Sequence, residues 1–122
     1  MLIDGYGWTK RKVCKWPYVF SLIFLLPAQA HAWDWAVTTS VNSIEASYMP
    51  GGVVFTAKDN AGSCAAGNLL AWNVRYSASD DRIANASSIY ALLLTALSTG
   101  KSITIYGNNN GCTVDHVYIN SN

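Results

Sequence analysis

The apolar positions fall into one long run near the N-terminus and a series of short, punctuated segments after it. The run is Trp16 to Leu26 (WPYVFSLIFLL). From Ser43 the pattern becomes alternation: Ile44, Ala46 and Tyr48 alternate with Ser43, Glu45 and Ser47, which predicts a strand over Ser43–Met49. Pro50-Gly51-Gly52 is a turn signal, and Val53–Lys58 (VVFTAK) completes a hairpin. A loop then leads to Cys64. Leu69–Ser77 has the clearest period of two, with Leu70, Trp72, Val74 and Tyr76 on one face and Asn73 and Arg75 on the other. Sharing a face with Leu70 and Val74 makes Trp72 a core residue.

A helix is expected over Ala86–Thr99. Asp80, Asp81 and Asn85 are its candidate N-caps, Gly100 sits at its C-terminal stop, and Lys101 lies near its negative end. Strands Ser102–Tyr106 and Thr113–Asn120 follow, separated by the turn Gly107–Gly111 and Cys112. The order is β-β-β-α-β-β. It predicts a β-rich α+β domain, an OB-fold-like five-stranded barrel with one helix between strands three and four.

On a helical projection Ala86, Ile89, Tyr90, Leu92, Leu93, Leu94, Ala96 and Leu97 fill an arc of roughly 200°. The rest of the surface carries Ser87, Ser88, Ala91, Thr95, Ser98 and Thr99, and no charge at all. A solvated helix face usually carries Lys or Glu. Ser88, Ala91, Thr95 and Ser98 are therefore expected at an interface between copies of the chain. The competing reading is a helix wrapped by its own barrel and loops.

Charge divides the chain in two. The 122 residues are 51% hydrophobic and 12% charged, with a formal charge of +1. That figure joins a +3 segment, in which Lys10, Arg11, Lys12 and Lys15 oppose Asp4, to a −2 remainder. The first part reads as a cleaved signal peptide over residues 1–32: a basic n-region, the apolar run, then the overlapping A-x-A sites Ala28-Gln29-Ala30 and Ala30-His31-Ala32. Cleavage is expected after Ala32, with Ala30 the alternative, leaving one domain over 33–122 in the periplasm or outside the cell. The strongly apolar stretch is shorter than the roughly 20 residues of a spanning helix, so no membrane span is expected after processing. The −2 domain also argues against nucleic acid as a partner.

Export sets the reading of the cysteines. Cys14 leaves with the leader, and Cys64 and Cys112 remain as an even pair in an oxidising compartment, which predicts a disulfide. The rival is a two-thiolate metal site. It lacks supporting ligands, since His116 is the only histidine certainly retained and no C-x-x-C occurs. Neither a cofactor nor a metal is expected.

Catalysis finds little footing. No Ser/His/Asp arrangement is fixed by a motif, and strict alternation points Asp115 and His116 to opposite faces of their strand. Binding is better served. The domain keeps Trp33, Trp35, Trp72 and five tyrosines among many Ser, Thr and Asn residues. Flat rings stack on the apolar faces of sugars, while amides and hydroxyls meet their hydroxyl groups. Tyr48, Tyr106 and Tyr118 are the glycan-binding candidates. Trp33 and Trp35, at the mature terminus, would cover a barrel end or a neighbouring copy.

The run Tyr90–Gly107 (YALLLTALSTGKSITIYG), followed by a cysteine and the strand VDHVYI, resembles the B subunits of subtilase-cytotoxin and pertussis-like AB5 toxins and their small secreted relatives. The matching residues are Thr99-Gly100-Lys101, then Ile103, Ile105 and Tyr106. The resemblance implies an OB-fold protomer, a homopentameric ring with helices around a pore, recognition of sialylated or other cell-surface glycans, and a catalytic A subunit as partner. No sugar-contacting residue is carried over from it. The alternative function is a monomeric exported protein that binds or inhibits another protein.

Overall fold

The alternating segments pair into one six-stranded mixed sheet in the computed structural model, which describes residues 32–121. The leader assigned to 1–32 lies outside these residues except for Ala32. The strands are β1 (Trp35–Thr39), β2 (Val41–Glu45), β3 (Val54–Ala57), β4 (Leu69–Trp72), β5 (Ile103–Asn108) and β6 (Thr113–Ile119), and the helix α1 (Ser79–Thr99) lies between β4 and β5. Their order across the sheet is β1-β5-β6-β4-β3-β2. All pairs are antiparallel except β4 with β6.

Six strands replace the five expected. The added one, β1, buries Trp35 and Thr39 and exposes Ala36 and Thr38, an alternation muted by the small and hydroxyl side chains. The expected strand Ser43–Met49 is also corrected: β2 begins at Val41 and ends at Glu45, and Ala46–Tyr48 forms a 3-10 turn. Glu45 stops the strand by accepting hydrogen bonds from the Ser47 hydroxyl and backbone N–H. Those two bonds, the hydroxyl's first, hold the Glu45 carboxyl below the usual carboxylate range. The third expected strand is cut from Ser77 back to Trp72, where Asn73 N–H turns to Val114 O (2.9 Å). The helix starts at Ser79, with Asp80 and Asp81 inside its first turn and Ala78 at the N-cap. Asn85 is therefore a helical residue rather than a cap.

Only Ser40 separates β1 from β2, yet these strands lie at opposite ends of the sheet order. Consecutive Cα atoms are about 3.8 Å apart, so the two edges of the sheet meet at this residue and the sheet curls. No ladder joins β1 to β2 among the described residues. Lys58 N–H donates to Ser40 O (3.1 Å), and the Thr39 hydroxyl donates to the Asp59 carboxylate (2.8 Å), which fixes the bend.

Val53, Phe55, Leu70, Ile103, Ile105 and Val114 fill the core from the sheet side. The helix contributes Ala86, Leu93 and Ala96 fully, and Ile89, Tyr90 and Leu92 in part. Its buried stripe is narrower than the projected arc: Leu94 and Leu97 are 46% and 39% exposed. Alanines at 86 and 96 let the helix approach the sheet closely, so one stripe completes the contact.

Cys64 and Cys112 form a disulfide between residues 48 apart, with Cα atoms 5.9 Å apart. Closing a loop of that length constrains the unfolded chain by about 4 kcal/mol. Beside it the Trp35 indole, 8% exposed, lies against Gly62 and Gly107, where a Cβ on either glycine would collide with the ring. Gly107→Ala is expected to destabilise the protein by about 2 kcal/mol or more. Gly52→Ala, with open space around its Cβ, is expected to stay within about 0.5 kcal/mol of the parent. Urea unfolding of the two variants checks the contrast.

Candidate functional site

Sheet register brings the outward aromatic residues of β5 and β6 together. Tyr106 pairs with His116 and Thr104 with Tyr118, while β1 places Ala36 and Thr38 opposite the same two β5 residues. Ile103, Ile105 and Gly107 turn inward and are buried, so Thr104 and Tyr106 face out between them. Trp33, just ahead of β1, lies over this surface. Its ring centroid is 5.0 Å from Tyr106 and 5.5 Å from His116, both edge-to-face. Tyr106 in turn meets Tyr118 edge-to-face at 5.9 Å. Such pairs contribute about 0.5–1.5 kcal/mol each beyond their burial, enough to hold the rings in place. Tyr118 remains 54% exposed.

Hydroxyls and an amide border these rings. The Thr38 and Thr104 hydroxyls share a hydrogen bond of 2.9 Å. The Asn120 amide donates to Ser102 Oγ (3.1 Å) and Thr104 Oγ1 (3.2 Å). Thr104, Tyr106, Tyr118 and Asn120 line an open depression of about 550 Å³. Flat rings beside fixed polar groups are what a sugar ring needs, an apolar stacking face and partners for its hydroxyls.

A second polar cluster lies where the ladder breaks. Tyr106 pairs with His116 but Gly107 pairs with Val114, so Asp115 is the extra residue of a β-bulge. Asp115 is 7% exposed; its carboxylate accepts from Asn73 Nδ2 (2.8 Å) and Asn108 Nδ2, and Arg75 Nη2 lies 3.7 Å away. The same Nη2 donates to Asp115 O (3.0 Å) and lies 3.4 Å from His116 Nε2. The bulge thus relaxes the strict opposition expected of Asp115 and His116. Both border one cavity of about 200 Å³, with Trp72, Arg75, Tyr76 and Asn85. Trp72 is packed against the core as expected, and its Nε1 donates to Asn85 Oδ1 (2.7 Å).

Of the three tyrosines singled out, Tyr106 and Tyr118 share the aromatic group, while Tyr48 lies exposed on the 3-10 turn after β2 and outside it. Trp33 and His116 belong to the group and were not foreseen there; the register of β5 against β6 would have found His116. Ser88, Ala91, Thr95 and Ser98 are exposed along α1. The Ser88, Thr95 and Ser98 hydroxyls donate to Ala84 O (2.9 Å), Ala91 O (2.8 Å) and Thr95 O (3.2 Å) of their own helix. Among the described residues, no cluster of three or more His, Cys, Asp or Glu side chains is placed to hold a metal ion. No described helix is long and apolar enough to cross a membrane.

Asp115→Ala would strand the two amides and the guanidinium that now point at the carboxylate. A loss of about 3 kcal/mol in urea unfolding is expected, with Asp115→Asn less damaging because it keeps an acceptor oxygen. Compared with family models, curated proteins and solved structures, the chain matches none.

Proposed function

We propose that this chain is an exported, non-enzymatic glycan-binding subunit that assembles with copies of itself, similar to an AB5 toxin B subunit. One observation carries the reading: Tyr106 and Tyr118, with Trp33 and His116, form a surface ring cluster beside the Thr104–Asn120–Ser102 network. The cluster is already hydrogen-bonded and packed, so a sugar would meet it at little ordering cost.

The topology supports an OB-like barrel. Taken as one strand bent at Ser40, β1 and β2 restore the order β-β-β-α-β-β, with the third and fifth strands of that count running parallel. The leader pattern and the disulfide support a secreted or periplasmic location.

Self-association is assigned to α1. Its hydroxyls at Ser88, Thr95 and Ser98 are satisfied by helix carbonyls, so a neighbour can cover them without stranding a polar group. Ala91 keeps that surface low, and exposed Ile83, Leu94 and Leu97 supply apolar area beside it. The partners proposed are further copies of the chain, up to a pentamer, a cell-surface glycan, and a catalytic A subunit.

A glycan array tests the ligand and light scattering tests the assembly. The purified protein is expected to bind a subset of saccharides, with Tyr118→Ala lowering affinity about tenfold or more while leaving the fold intact. It is expected to scatter as an oligomer at micromolar concentration, with Leu94→Asp shifting it toward monomer. A strict monomer that ignores every saccharide yet binds a protein would replace this reading with that of an exported protein inhibitor.

A further inference from the structure

The aromatic patch and the Arg75 cavity share a wall. Tyr106 and His116 are in-register partners with ring centroids 6.2 Å apart. Tyr106 lines the 550 Å³ depression and His116 lines the 200 Å³ cavity. Outward positions His116, Tyr118 and Asn120 span four residue steps of extended chain, roughly 13 Å. Alternation alone would end this polar surface at Val114, which is buried. The bulge at Asp115 and the Arg75 side chain carry it onward instead, to Tyr76 and Asn85.

The second cavity is built for donating hydrogen bonds. Arg75 Nη2 is held by Asp115 O, while Nη1 and Nε have no protein partner among the described residues. A guanidinium fixed at one corner presents its remaining donors as a fork suited to paired oxygens. Asn85 is fixed in the same way: its Oδ1 takes the Trp72 indole N–H, which leaves Nδ2 as a donor without a partner among the described residues. Charge narrows the ligand. The Asp115 carboxylate 3.7 Å from Arg75 already balances the guanidinium, so the cavity offers donors without a net positive charge.

We infer that the site takes a neutral oligosaccharide longer than a disaccharide. One part stacks on Tyr118 and Tyr106, and a terminal ring presents two neighbouring hydroxyls to Arg75 and Asn85. The inference rests on the glycan-binding reading above and sharpens it to ligand length and charge.

A panel of neutral saccharides from one to six rings, with acidic counterparts of matched length, provides the test with the purified protein. The tightest binder is expected to be neutral and longer than a disaccharide, with affinity insensitive to salt. Arg75→Gln should weaken that ligand about tenfold while leaving a disaccharide fragment within about twofold. Tyr76→Ala, whose side chain takes no part in the Asp115 network, should show the same selective loss and guards against a misfolded Arg75 variant. Equal affinity for short and long saccharides, no selective loss in either variant, or a preference for acidic ligands that fades with salt would each overturn the inference while leaving glycan binding in place. Absence of any saccharide binding would overturn both.

Discussion

The Trp35 indole, wedged against Gly62 and Gly107, is the contact on which the candidate site depends. It ties the start of β1 to β5 and to the loop that leads into Cys64. Polar bonds around it repeat the connection: Asp34 N–H donates to Gly107 O (2.9 Å), Asn109 N–H to the Asp34 carboxylate (3.0 Å), and Ser63 N–H to Asn109 Oδ1 (2.8 Å). The indole N–H itself is buried without a partner among the described residues. That costs about 1–3 kcal/mol, whereas burying a ring of roughly 200 Å² returns about 5 kcal/mol. Packing wins, and it leaves Trp33, two residues earlier, lying over Tyr106 and His116.

The step at Ser40 sets the rest of the architecture. A single residue carries the chain from one end of the sheet order to the other, so the sheet curls and its inner face closes on Phe55, Leu70, Ile105 and Val114. The outer face of β1, β5 and β6 is then free to carry aromatic residues, while α1 packs against β2 and β6. The proposed binding and assembly surfaces thus occupy different parts of the molecule, the arrangement a multivalent binder would need.

Much of this was legible in the sequence where periodicity was strong. The Pro50-Gly51-Gly52 turn signal located β3 and alternation the start of β4, and the helix, its Gly100 stop and the cysteine pair were all visible. The failures share a cause, competition by side chains for backbone groups or for the inward positions. Thr38 and Thr39 made β1 look irregular although Thr39 is buried. Glu45 and Ser47 turned an apparent strand into a 3-10 turn, and the bulge at Asp115 broke an alternation that the letters alone imply. Tyr106 and Tyr118 were singled out by residue type. Their meeting with Trp33 and His116 depends on strand register, which one sequence does not state.

We propose that a saccharide binds on the outer face of β5 and β6. Backbone amide shifts recorded by NMR, while the isotope-labelled protein is titrated with the best-binding saccharide of a panel, test it directly. The saturating shifts are expected to concentrate on Thr104, Tyr106, His116, Tyr118 and Asn120, with the Trp33 indole N–H moving in step. Shifts centred on Tyr48 or along α1, with β5 and β6 unmoved, would contradict it.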